Sequence, residues 1–119
     1  MRIFLDTADV DRVKKRVDTG LIHGITTNPT LILRSGRKPK DVYKELTELD
    51  YITDVSMEVT ANTALHMYNI GIELSDSFEN ATIKLPCTVE GLKACNMLND
   101  QKVRTNVTLV FSPEQAILA

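Results

Sequence analysis

ATIKLPCTVEGLKACNML (Ala81–Leu98) reads as a strand followed directly by a helix. Ala81–Pro86 is a short apolar run closed by proline, interrupted only by Lys84 between Ile83 and Leu85. Thr88 and Glu90 then open a segment whose apolar residues Leu92, Cys95 and Leu98 recur at helical spacing. The same order is found on both sides of it. RIFL (Arg2–Leu5) precedes an expected helix over 9–17, with Asp9 and Asp11 at the positive end of the helix dipole and Gly20 as its stop. A brief strand at 24–27 leads through Pro29, LIL and a break at Gly36 to a helix over 39–49, where Val42, Leu46 and Leu49 share one face. DVSMEV (Asp54–Val59) precedes a helix over 63–74. TNVTLVF (Thr105–Phe111) precedes Ser112-Pro113-Glu114, which supplies an N-cap, a proline in the first turn and an acidic residue behind it.

Strict alternation of strand and helix requires crossover connections, which make the strands parallel and put the helices outside them. The fold class is therefore α/β, with about five βα units and no Pro/Ser-rich linker to divide residues 1–119 into more than one domain. An open doubly wound sheet and a part of a TIM-type (β/α) barrel share this pattern, and periodicity does not choose between them. The polar residues favour the barrel: Asp6, Thr26, Asn28, Glu58, Lys84, Asn106 and Thr108 fall in or just beyond the strands, where barrel enzymes gather side chains at the C-terminal mouth. No GxGxxG or GxxxxGK[ST] follows a strand, which argues against a dinucleotide or P-loop site.

The charge pattern excludes several classes. A net charge of −2 offers no electrostatic footprint for nucleic acid, and the basic stretch Arg34–Lys40 has no aromatic residue for base stacking and reads as a solvated loop. No apolar run is long enough to cross a bilayer, and MRIFLDTADV turns acidic too early for a signal peptide, so a cytoplasmic location is expected. Cys87 and Cys95 form no CxxC, His23 and His66 have no partner at ligand spacing, and neither a disulfide framework nor a metal site is expected.

Lys84 is the foremost candidate for chemistry. A lysine inside an apolar parallel strand either reaches water at the strand's end or lies in a pocket, and desolvation there favours the neutral amine, a nucleophile toward carbonyls. On position alone the solvent-reaching lysine suffices; the neighbouring candidates change the reading. Glu58, on the preceding strand, is placed to act as general base through a water, or else to be a structural ion-pair partner. Asp6 suits proton transfer at a substrate hydroxyl, or else caps the helix after it. Asn28 and Asn106 suit sugar hydroxyls and Thr108 a catalytic water, although each alone is an ordinary turn or strand residue.

Taken together, FLDTA (Phe4–Ala8), GITTNPTLI (Gly24–Ile32), IKLPCTVEGLKA (Ile83–Ala94) and TNVTLVFSPEQA (Thr105–Ala116) resemble the transaldolase family in order and spacing, most of all the small transaldolases that include the fructose-6-phosphate aldolases. The resemblance implies a cofactor-free class I aldolase of the pentose phosphate pathway that moves a dihydroxyacetone unit between sugar phosphates. Lys84 falls on the Schiff-base lysine and Asp6 on the acid/base. Asn28 falls on the sugar-binding asparagine with Thr26 beside it, Asn106 on a pocket residue, and Thr108 and Glu58 on the pair that shares the catalytic water. Glutamate at this last place goes with transaldolases and glutamine with fructose-6-phosphate aldolases, so transaldolase is favoured. The family is built on complete barrels of eight units, whereas this chain stops within its fifth. The further expectation is therefore a partial barrel that forms homo-oligomers or aggregates, with weak activity; a noncatalytic half-barrel assembly module is the rival reading.

Overall fold

β1 (Phe4–Asp6), β2 (Gly24–Thr26), β3 (Asp54–Glu58), β4 (Ala81–Pro86) and β5 (Thr105–Thr108) lie side by side in chain order, every pair parallel. The structure is a computed structural model that describes residues 1–119. Helices α1 (Val10–Val17), α2 (Pro29–Ser35), α3 (Pro39–Thr47), α4 (Ala64–Ser77), α5 (Val89–Asp100) and α6 (Pro113–Leu118) complete the chain. A five-stranded parallel sheet with helices following each strand is part of a (β/α) barrel, as the sequence predicts. No helix is long and apolar enough to cross a membrane.

Local chemistry explains most of the helix boundaries. Asp9, Thr63, Thr88 and Ser112 each turn a side-chain oxygen onto a backbone N–H of the first turn, satisfying one of the donors that every helix start leaves orphaned. In α1, Val10, Val13 and Val17 are buried at helical spacing, while Lys14, Lys15 and Arg16 occupy the end that favours cations.

Strand parity sorts the sheet into two faces. Ile25, Val55, Met57, Ile83 and Leu85 point toward the helices and are completely buried with Val13, Val42, Leu46 and Leu98 in one apolar cluster. Each such aliphatic side chain contributes about 1.5–3 kcal/mol relative to an exposed position. Asp6, Thr26 and Ser56 share one register row on the opposite face, and Glu58, Lys84 and Asn106 share the row nearer the strands' C-terminal ends. At the other end of the sheet, Asn80 Nδ2 donates to the Thr47 and Ile52 carbonyls, and Arg104 to those of Thr53 and Glu79, so the loops entering β3 and β4 are tied together.

The structure corrects the expected elements in three places. The second unit holds two helices, since PTLILRS forms α2 between the Asn28 cap and Gly36, whose φ of +68° ends it in the left-handed region. Arg34–Lys40 is accordingly not one loop: Arg34 and Ser35 close α2, Pro39 and Lys40 open α3, and the stretch is solvent-exposed throughout. Finally, β5 stops at Thr108, because Leu109 takes a φ of +60° that no strand can continue.

Candidate active site

The polar face is built from strand ends, and β4 supplies its centre. Lys84 extends from β4 across β3 toward β2, with Nζ 3.2 Å from the Glu58 carboxylate and donating at 3.1 Å to the backbone carbonyl of Thr27. The two charged side chains retain only 13% and 16% exposure, so this pair is far drier than an ordinary surface ion pair. Each of the other ion pairs has at least one partner exposed by more than a third. A lysine and a carboxylate at this separation can pass a proton directly.

The remaining candidates form smaller groups around that pair. The Thr26 hydroxyl donates to the Asp6 carboxylate at 3.1 Å. Asp6 does not cap α1: Asp9 does so, leaving Asp6 on the open face. Asn106 donates through Nδ2 to the Ser56 hydroxyl at 3.2 Å, which leaves its Oδ1 for another donor. Asn28 caps α2, its Oδ1 accepting from the Leu31 N–H at 2.9 Å, which leaves its Nδ2 amide and the second lone pair of Oδ1 for a ligand. Thr108 sits in register with Pro86; its carbonyl accepts from the Cys87 N–H at 2.8 Å, while its hydroxyl bonds none of the other candidates.

Two residues outside the expected set bind this group together. Thr27 is fully buried, and both its N–H (3.1 Å) and its hydroxyl (2.9 Å) donate to the Ser56 carbonyl. Ser56 is itself 1% exposed and lies two residues before Glu58, so strand parity alone puts it on the candidate face. Thr27 acts through its backbone, for which a sequence carries no signal. Behind them Tyr43 is buried on α3; burial holds its phenol above the usual value, the Thr27 side chain offsets part of that, and the Glu58 carboxylate adds to it. His23 is structural, its Nδ1 accepting from the Ile3 N–H at 3.2 Å. One concavity of about 660 Å³, lined by Lys44, Asn80 and Arg104 among others, lies at the strands' N-terminal end, away from this chemistry, and another of about 640 Å³ is lined in part by Tyr43 and Glu58.

A family model described as Transaldolase/Fructose-6-phosphate aldolase matches residues 3–119. The chain belongs to this family. Relatives of the transaldolase/fructose-6-phosphate aldolase family include proteins named "Probable transaldolase" from Geobacter sulfurreducens, 50% identical over 121 residues, and Aquifex aeolicus, 48% identical over 119 residues. A third with that name, from Nitrosopumilus maritimus, is 45% identical over 119 residues. In each case all of this chain is matched but only 55%, 54% and 53% of the relative, respectively, so the chain spans about half the length of these curated relatives. Lys84, Glu58, Asp6 and Thr26 thus stand on the polar face of a transaldolase-family sheet, in two directly bonded pairs.

Proposed function

We propose that this chain carries the Schiff-base portion of a transaldolase-type active site that moves a dihydroxyacetone unit between sugar phosphates in the cytoplasm. The observation that supports this most is the nearly buried Lys84–Glu58 pair, 3.2 Å apart at the strand ends. In this reading the Lys84 amine adds to the ketose carbonyl, and Glu58, through a water held beside Thr108, moves the protons that turn the carbinolamine into an iminium ion and water. Asp6 takes the proton of the substrate hydroxyl as the carbon–carbon bond breaks, releasing an aldose phosphate and leaving an enamine on Lys84. Addition of the enamine to an acceptor aldehyde reverses these steps. Thr26, Asn28 and Asn106 hold sugar hydroxyls. The protonated imine is itself the electron sink, so the reaction calls for no metal or organic cofactor. Borohydride with fructose 6-phosphate tests the reading: it should fix a three-carbon adduct on Lys84 alone, and an adduct spread over surface lysines would count against it.

A carboxylate at position 58 is the local reason for preferring transaldolase to fructose-6-phosphate aldolase. Glu58→Gln is expected to slow transfer to an aldose phosphate by about tenfold or more, and to slow release of free dihydroxyacetone less. Equal losses in the two assays would remove the basis for the choice.

The 119-residue chain is also proposed to associate, and a noncatalytic assembly role remains the rival reading on the same ground. β1 and β5 are sheet edges, and Phe111, Ile117 and Leu118 beyond β5 are 83%, 85% and 72% exposed. Unpaired parallel edges beside apolar surface invite pairing with another copy. Sedimentation at micromolar concentration should therefore show oligomers or aggregates, with weak or no turnover. A cooperative monomer with full transaldolase turnover would overturn both the association and the rival reading.

A further inference from the structure

We propose that Thr27 is a positioning residue for Lys84, its hydroxyl locked onto the Ser56 carbonyl so that its own backbone carbonyl orients the lysine amine. This rests on Lys84 being the nucleophile, and it adds a residue that meets the lysine amine only through a backbone carbonyl and makes no contact with substrate. The Thr27 N–H and hydroxyl both close on the Ser56 carbonyl, at 3.1 and 2.9 Å, which fixes the chain just beyond β2 to the middle of β3. The next residue is held from the other side, because Asn28 caps α2 and its carbonyl accepts from the Ile32 N–H at 3.1 Å. The Thr27 carbonyl therefore lies between a strand clamp and a helix cap and has little freedom to turn.

That rigidity matters because of the shape of an amine. A neutral lysine nitrogen has two N–H bonds and one lone pair in tetrahedral arrangement. One hydrogen-bond acceptor leaves the nitrogen free to rotate about the bond, whereas two acceptors on different strands fix the direction of the lone pair. Lys84 has such a pair, Glu58 from β3 at 3.2 Å and the Thr27 carbonyl beyond β2 at 3.1 Å. Once the ammonium has passed its third proton to Glu58, directing both remaining N–H groups at these acceptors would hold the lone pair in a single direction, the one from which the ketose carbonyl is proposed to arrive. Ser56 links the same device to the sugar-binding candidates, since its hydroxyl accepts from Asn106.

Thr27→Val keeps the shape and removes only the hydroxyl; Thr27→Ser keeps the hydroxyl. Two rates are followed in each variant: ketose trapping by borohydride, and acetylation of Lys84 by trace acetic anhydride, with exposed Lys15 and Lys93 as internal references. In Thr27→Val an untethered amine meets the small reagent more often but the ketose in poorer alignment, so acetylation of Lys84 should rise about threefold while trapping falls about tenfold. The references should not change, and Thr27→Ser should stay close to the parent in both rates. Unchanged Lys84 rates in Thr27→Val would overturn the proposal, as would a Thr27→Ser variant that behaves like Thr27→Val. A rise shared by Lys15 and Lys93 would mean a loosened fold and would also overturn it. If Thr27→Val does not fold, Thr27→Ala, which needs no added space, is read by the same criteria. A parent chain that forms no ketose adduct would refute the Schiff-base reading, and the acetylation rates would then decide the positioning claim alone.

Discussion

Replacing Lys84 with methionine is expected to abolish ketose trapping and also to destabilise the chain, by about 1–3 kcal/mol. Methionine matches the apolar stem of lysine and lacks only the amine, so the cost comes from what is left behind. Glu58, at 16% side-chain exposure, loses the cation 3.2 Å away, and the Thr27 carbonyl loses its donor at 3.1 Å. An isolated carboxylate at that depth is penalised by desolvation that the pair had offset. The double variant Lys84→Met/Glu58→Gln should therefore regain part of the lost stability, because an amide at position 58 has no charge to strand. Urea denaturation of the parent, the two single variants and the double variant measures this as a cycle. Equal stability of parent and Lys84→Met, or a borohydride-stable adduct surviving in it, would contradict the central place given to this lysine.

Gly91→Ala should also have a large effect, on folding and then on the site. A Cβ at Gly91 would lie 2.0 Å from the Pro86 carbonyl oxygen, a backbone atom at the end of the strand that carries Lys84. Neither side can give way easily. The Pro86 carbonyl accepts from the Thr88 N–H at 2.8 Å, and the Gly91 N–H is held by the Thr88 capping hydroxyl at 3.0 Å. Relief of the clash must move the start of α5 or the end of β4, at a cost of about 1–3 kcal/mol or more. Gly71→Ala is the internal comparison: its Cβ would meet side-chain atoms alone, of Leu98 at 3.0 Å and of Ile83 at 3.3 Å, which give by a few tenths of an ångström more readily than a backbone carbonyl at 2.0 Å. Thermal melts should rank Gly91→Ala well below Gly71→Ala, with slower ketose trapping in the former. If Gly91→Ala melts with the parent, the close approach of β4 and α5 has been misjudged.

The parts of this fold that were legible in the sequence are those specified by neighbouring residues. β4 occupies 81–86 as its apolar run indicates, and α6 begins at the predicted Ser112 cap. α2 is not legible as a helix although its boundary signals are present, Asn28 and Pro29 before it and Gly36 after it. Its short LIL run looks the same in a strand, a helix or a connection, and a seven-residue helix offers too few turns for a period to declare itself. The sequence overstates the length of β5 for the opposite reason. LVF is a good strand sequence, and the turn at Leu109 that overrides it is not encoded in those residues.

The candidate site divides in the same way. From the sequence alone came the alternation of strand and helix, the polar residues at the strand ends and the resemblance that assigned them roles, because strand parity and helix capping act over a few residues. Tertiary structure decided which of them meet. Glu58 stands beside Lys84 because β3 and β4 pair in the register that aligns those two residues. A parallel register is set by packing of the intervening helix and the core, across 26 residues of chain, and no local pattern carries it. The Thr27 carbonyl lies further still from anything a sequence displays: every residue but proline has the same donor and acceptor on its backbone, and only the folded chain determines that this one faces the lysine amine.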